Sequence, residues 1–380
     1  MIHYGAGDNN LARFIFSNTD ELEKVGSDVN THVVSILDVG KQWGAPFKGA
    51  RVFYLQKDAQ SGKINSPIVK NLGQINSADP QVMANLIKEV IRKFPAENIA
   101  IFIDGHGVGW EGTVVDNSSG SEFMVMSEYM VMSEIREALE KISKELSRKI
   151  DVLAFASPMA MVEVGYELKD AVKYIVASQQ LELLKGYSYI KSFSKAMVDS
   201  IQKIQENNLL DIKFGAEEFI KSIVNAANKY IYRIQTISAV DLDKIQELVN
   251  ALDLFAQKVL EKIKENKATV DAIRIYDLVK YTMPSWESFA DLKRFMELII
   301  KDETISHDIR HKARLVIDSL NNYVITEKHA VYPYSNGVSI ELTLCGGVLP
   351  DYEETLFAKD TKWDEMLKEI IRIYCSQRCQ

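Results

Sequence analysis

Short apolar runs alternate with helical patterns through the first half of the chain. Residues 2–5 predict a strand, and Asp8-Asn9-Asn10 offers capping side chains for a helix over residues 11–24. Residues 32–39 and 51–55 are β-branched and aromatic runs that predict two more strands. Ser77-Ala78-Asp79-Pro80 caps a helix running to about Phe94, with Pro80 suited to its first turn. Residues 98–103 are continuously apolar after Asn98, as a strand covered on both faces should be. A helix at residues 133–146, a second buried strand at 150–155, a helix at 159–171 and a third strand at 174–177 follow. This repetition predicts an α/β fold with a mostly parallel sheet flanked by helices. It also predicts that 98–103 and 150–155 are neighbouring parallel strands.

After about Ser188 the spacing becomes almost wholly helical, over 189–206, 211–232, 240–266, 269–281, 289–301 and 307–324. Breaks fall at Asn207-Asn208, Pro284-Ser285 and Asp302. Strand spacing returns at residues 337–344, and a last amphipathic helix covers 363–374. The expected organisation is an α/β core over 1–188, a large helical insertion over 189–326, and a C-terminal strand and helix over 327–380 returning to the core. Met124-Val125-Met126-Ser127-Glu128 is echoed by Met130-Val131-Met132-Ser133-Glu134. Two copies are too few for a solenoid, and the pair reads as a loop running into the Ser133 cap.

Composition narrows the function classes. With 47% hydrophobic and 26% charged residues, the chain has the balance of a globular protein rather than a disordered one. A net charge of −8 argues against bulk nucleic-acid binding. No apolar run approaches the roughly 18 residues of a membrane span. Three cysteines, Cys345, Cys375 and Cys379, are too few for a disulfide scaffold. Met1-Ile2-His3-Tyr4 reads as a strand start, not a signal peptide, so the chain is either cytoplasmic or an exported protein whose signal has been removed.

In an open parallel sheet, ligands bind beyond the carboxyl ends of the strands. The first strand end that carries chemistry is Asp104-Gly105-His106-Gly107-Val108-Gly109-Trp110. Its glycines permit a tight turn with exposed N–H groups, and His106 is suited to proton transfer near neutral pH. A hydrogen-bonded turn histidine is the plainer reading. The glycine spacing is not that of a dinucleotide fingerprint. The second end is Phe155-Ala156-Ser157-Pro158-Met159, where a side chain at a helix N-terminus would favour negative charge. An N-cap serine followed by proline is the plainer reading there. His307 and His311 share a helix face without a visible third ligand, so no metal site is expected. Cys375 and Cys379, four apart, could share a helix face, although a frayed terminus reads more simply.

Several segments, in order, resemble the clostripain family of cysteine peptidases, which have a caspase-like fold. Tyr4-Gly5-Ala6-Gly7-Asp8-Asn9-Asn10-Leu11 resembles the family's opening strand and A-x-DNNL turn. Asp104-Gly105-His106-Gly107-Val108-Gly109-Trp110 resembles its segment with the catalytic histidine. Met161-Val162-Glu163-Val164-Gly165-Tyr166-Glu167-Leu168 resembles the helix after the nucleophile. Ala177-Ser178-Gln179-Gln180 with Gly186-Tyr187, then Gly337-Val338-Ser339-Ile340 and residues 357–363, resemble later family segments.

The resemblance implies an endopeptidase cleaving after Arg or Lys in peptide or protein substrates. His106 would be the general base or acid, and the N–H groups of Gly107 and Ser157 would form an oxyanion hole. Calcium is implied as a possible cofactor, without identified ligands. The sequence departs from the family at the nucleophile. Where the family has F-D-A-C-L-M, this chain has Phe155-Ala156-Ser157-Pro158-Met159, one residue shorter. Aligned from the helix, Ser157 stands at the cysteine and the acidic residue is lost. Aligned from the strand, Pro158 stands there. The first keeps Met159 and Glu163 in register, and neither supplies a thiol. A hydroxyl needs a strong, oriented base, so activity is expected to be impaired or absent. No Lys or Arg occurs between Glu111 and Glu134, where such peptidases often cleave themselves. The alternative is a non-catalytic peptide- or protein-binding pseudopeptidase on the same fold.

Overall fold

A computed structural model describes residues 1–117, 128–179, 187–209, 215–265, 269–279, 281–282, 289–330, 332–343 and 348–378. The first half contains β1 (Ile2–Gly7), α1 (Ala12–Glu23), β2 (Val34–Val39), β3 (Gly49–Tyr54), β4 (Ile68–Gly73), α2 (Pro80–Lys93) and β5 (Ala100–Asp104). Next come β6 (Gly112–Asp116), β7 (Glu128–Val131), α3 (Met132–Leu146), β8 (Ile150–Phe155), α4 (Val162–Leu168) and β9 (Val172–Ala177). The long helices α5 (Tyr187–Leu209) and α6 (Ala216–Ala227) lead through the short α7 (Ile231–Ile234) to β10 (Thr236–Asp241), α8 (Ile245–Lys264) and α9 (Thr269–Val279). The chain ends with β11 (Phe289–Asp291), α10 (Leu292–Lys301), α11 (His307–Tyr323), β12 (Val324–His329), β13 (Ser339–Glu341), α12 (Leu356–Asp360) and α13 (Trp363–Arg378).

Nine strands form one mixed sheet in the order β12-β10-β9-β8-β5-β1-β2-β3-β4. Its centre is parallel: β2, β1, β5, β8 and β9 run together, and β5 pairs with β8 from Ala100 opposite Val152 to Ile103 opposite Phe155. The two continuous apolar runs are thus neighbours, as their composition requires. Their side chains alternate between two cores: Ile101, Ile103, Leu153 and Phe155 on one face, Phe102, Val152 and Ala154 on the other. Helices α1, α5 and α6 cover the second face, and α2, α3, α4 and α8 cover the first. A strand buried on both faces has no polar side to show, which is why period-two alternation is missing from its sequence.

The helix over 80–93 starts as its residues predict, with the Asp79 carboxylate accepting from the Gln81 and Val82 N–H groups. Elsewhere the elements differ from expectation. The stretch 189–326 is not wholly helical: β10 lies inside it and pairs antiparallel with β9, and β12 crosses its end to form the sheet edge. Phe289–Asp291 is a strand, not the first turn of a helix. The strand predicted over 337–344 is Ser339–Glu341, and it pairs with β11 in a separate two-stranded sheet. It meets the main sheet's connections through a bridge to Met161. The helix predicted over 159–171 is shortened to Val162–Leu168, because residues 156–161 run as an irregular segment between β8 and α4. Asn9 does not cap α1; its Oδ1 accepts from the Leu11 N–H in a local turn. β4 has no counterpart among the predicted elements. The first Met-Val-Met-Ser repeat at 124–127 lies outside the described residues.

Candidate active site

Both strand ends singled out by sequence lie at the carboxyl edge of the sheet, on adjacent strands. His106 follows the last residue of β5, Asp104, and Ser157 follows the last residue of β8, Phe155. Asp104 itself is buried and does not reach the turn. Its Oδ2 accepts from Asn18 Nδ2 at 2.7 Å and lies 3.2 Å from His3 Nε2, beneath α1. It anchors the strand end from which His106 projects.

The turn after β5 folds back on β6. Gly107 bridges Thr113, flanked by hydrogen bonds from Val108 N–H to Gly112 C=O and from Val114 N–H to His106 C=O, each 2.9 Å. That makes Gly107 and Thr113 a non-hydrogen-bonded antiparallel pair, so the Gly107 N–H points away from β6. The hairpin's own ladder therefore makes no use of it. In the direction a side chain would take, Gly107 packs against Ser157: a Cβ on Gly107 would stand 2.6 Å from Ser157 Oγ and 3.0 Å from Met159 Sδ. Only glycine fits between the two turns.

The two side chains do not engage each other. His106 Nε2 is 2.6 Å from Asn10 Oδ1. Ser157 Oγ is buried, with no hydrogen-bond partner. Ser157 is 4% exposed, so the hydroxyl does not face an open cleft as the strand-end placement would suggest; the Gly107 turn lies against it. Burial holds the His106 imidazole below its usual pKa, so the ring is neutral at neutral pH. A neutral imidazole can accept a proton, but no serine proton lies within its hydrogen-bonding contacts.

A buried carboxyl pair lies behind the same turn, and sequence reasoning missed it. Trp110 Nε1 donates to Glu341 Oε2 at 2.8 Å, and the Glu341 N–H donates to Glu163 Oε1 at 2.9 Å. Tyr352 OH donates to the same Glu163 oxygen at 2.8 Å. Burial pushes both Glu163 and Glu341 up to about 7. The pair ties the histidine turn to α4, to β13 and to the segment before α12. A second polar knot fixes the wall beyond β9. Gln179 Nε2 donates to Asp291 Oδ2 at 2.9 Å, and its Oε1 accepts from the Gly337 N–H at 2.8 Å.

The remaining candidates stand apart. His307 and His311 lie parallel on α11 with ring centroids 6.5 Å apart, and His307 is exposed. Cys375 is exposed on α13; Cys345 and Cys379 lie outside the described residues. Asp8, Asp38 and Asp116 gather behind Asn9, where burial and the neighbouring Asp116 and Asp8 carboxyls push Asp38 up to about 8. Among the described residues no group of three or more His, Cys, Asp or Glu side chains is arranged to hold a metal ion. No helix of the described residues is long and apolar enough to cross a membrane.

Comparison with known proteins bears on this geometry. A secreted C11 cysteine protease from Bacteroides thetaiotaomicron, solved with an irreversible peptide inhibitor, superposes with a TM-score of 0.63 at 16% identity, covering 97% of each chain. An inactive zymogen C11 protease from Parabacteroides distasonis superposes with a TM-score of 0.64 at 19% identity, covering 95% of this chain and 96% of that one. At these identities the likeness shows the fold. No curated protein matches the sequence. The model of the clostripain family, peptidase family C11, matches residues 3–369. With its caspase-like sheet and a match over nearly its whole length, this chain belongs to the clostripain family of peptidases.

Proposed function

We propose that this chain is a clostripain-type endopeptidase scaffold, directed at Arg- or Lys-containing peptides, whose hydrolytic activity is impaired at the nucleophile. One observation carries the reading: Ser157 Oγ has no hydrogen-bond partner, while His106 Nε2 is engaged by Asn10. A serine hydroxyl becomes a nucleophile only when a base within hydrogen-bond reach takes its proton. The parts that do not depend on the nucleophile are retained. They are a neutral histidine at a strand end, and a glycine N–H turned away from its own hairpin in a turn that packs against Ser157. In this reading His106 serves as the general base or acid, and Gly107 and Ser157 N–H form the oxyanion hole. Preference for basic side chains rests on family membership alone, because the acidic residue expected beside the nucleophile is absent from Phe155-Ala156-Ser157.

A second reading, a pseudopeptidase that binds a peptide or protein without cutting it, draws support from the burial of Ser157. The substrate or partner is a polypeptide in both, and the net charge of −8 suits basic segments better than nucleic acid. Export is proposed by analogy with the secreted Bacteroides relative. The test is turnover of fluorogenic Arg and Lys peptides by the unaltered chain and by His106→Ala. Weak or no turnover in both is expected. Robust turnover that His106→Ala abolishes would overturn the proposed impairment.

A further inference from the structure

Two asparagines follow β1, and they do different things. Asn9 is fully buried, and its Nδ2 donates to Ala6 C=O at 2.9 Å and to Val115 C=O at 2.7 Å. Its Oδ1 accepts from the Leu11 N–H at 2.9 Å, and its own C=O accepts from the Ala12 N–H at 3.0 Å. The backbone on both sides of Asn10 is thereby fixed, although the Asn10 side chain is exposed. That side chain meets the His106 ring.

The His106 backbone is held by the same short strand. Its C=O accepts from Val114 N–H at 2.9 Å and from the Thr113 hydroxyl. At this point β6 is bulged: its register with β7 slips between Thr113 and Val115, and Val114 has φ 61°. A β-branched residue rarely takes this left-handed conformation, and such strain persists only where surrounding contacts over-determine it. The kink turns consecutive backbone groups to different tasks. Val114 N–H reaches His106, and Val115 C=O reaches Asn9. One bulge therefore sets the spacing between the asparagine turn and the histidine turn.

We infer that Asn10 is a positioning residue for His106: it holds the ring plane and fixes Nε2 as the protonated nitrogen, leaving the Nδ1 lone pair to take a proton. An amide oxygen can only accept, so Nε2 must donate in this 2.6 Å contact. The inference rests on the reading of His106 as the base, and it adds a third member to what the family resemblance presents as a pair.

The test uses the full chain with ¹⁵N-labelled histidine. In the unaltered protein the His106 Nε2 carries a proton that exchanges slowly and resonates downfield. Asn10→Ala abolishes that signal. Asn10→Asp keeps an acceptor in place, retains the signal and raises the His106 pKa by about one unit. In a Ser157→Cys background, Asn10→Ala lowers kcat roughly tenfold or more with KM within about twofold, and Asn10→Asp restores part of it. Unchanged ring proton, titration and kcat in Asn10→Ala would overturn the inference. So would a proton found on Nδ1. If Ser157→Cys proves inactive, the reading of the active site fails while the ring-proton arms still decide the role of Asn10.

Discussion

Gly107 lies against Ser157 with no room for a side chain: a Cβ at this position would fall 2.6 Å from Oγ and 2.9 Å from Cβ of the serine. The contact joins the turn after β5 to the turn after β8, so the position of the histidine and the position of the serine are mechanically one. Gly107 has no left-handed φ, and its requirement is purely for space.

Gly107→Ala should therefore destabilise the protein by roughly 1–3 kcal/mol, the usual cost of overpacking a closed site. Urea denaturation followed by tryptophan fluorescence measures this. A midpoint unchanged from the parent would mean that the two turns separate easily and that the close packing is not a constraint.

Glu163 and Glu341 predict a falling stability as pH rises. Their folded-state values, pushed up to about 7, lie above the ordinary 4.5 of an unfolded glutamate. The folded state thus binds protons more tightly. The stabilisation is complete below about pH 4.5 and is lost as pH rises through 7. Burial is the main cause for both. The groups facing them are Tyr352, Trp110, Thr343 and Glu111, none of them a cation. The loss should be on the order of 3 kcal/mol for each carboxyl. Glu163→Gln should flatten the decline between about pH 4.5 and 7, read as thermal midpoints across that range. A decline as steep in Glu163→Gln as in the parent would assign it to other groups.

Gln179 clamps β11 and β13 beside the end of β9. Removing its amide leaves the Gly337 N–H without that acceptor, while buried Asp291 keeps its donors from Arg294 and Asn336. Gln179→Ala should cost on the order of 1–3 kcal/mol, the penalty for leaving a buried donor unpaired. Chemical denaturation tests this, and a loss below about 0.5 kcal/mol would show that water replaces the amide without penalty.

How far the sequence foretold these arrangements depended on how local each signal was. The parallel β5–β8 pair was legible because Ile101, Phe102, Leu153 and Phe155 sit in runs without polar interruption. His106 and Ser157 were legible as strand-end residues for the same reason. β10 was not, because Thr236 and Ser238 break its apolar run; their hydroxyls are satisfied only by tertiary partners, Ser178 at 2.8 Å and the Gly337 carbonyl at 2.5 Å. The Asn10–His106 contact joins positions 96 apart, and the Glu163–Glu341 contact joins positions 178 apart. Neither leaves a periodic trace. The one readable hint was Glu163 itself, an acidic residue inside the otherwise apolar start of α4.

On the proposed reading, the scaffold around His106 is competent and Ser157 is the point at which catalysis fails. A peptide with a C-terminal lysyl acyloxymethyl ketone tests it by covalent labelling, read by intact mass. The parent chain should remain unlabelled, Ser157→Cys should gain one peptide adduct at residue 157, and Ser157→Cys with His106→Ala should label at least tenfold more slowly, because the thiolate loses its partner. Adduct formation on Ser157 of the parent would contradict the account, and so would a Ser157→Cys protein that folds but takes no label.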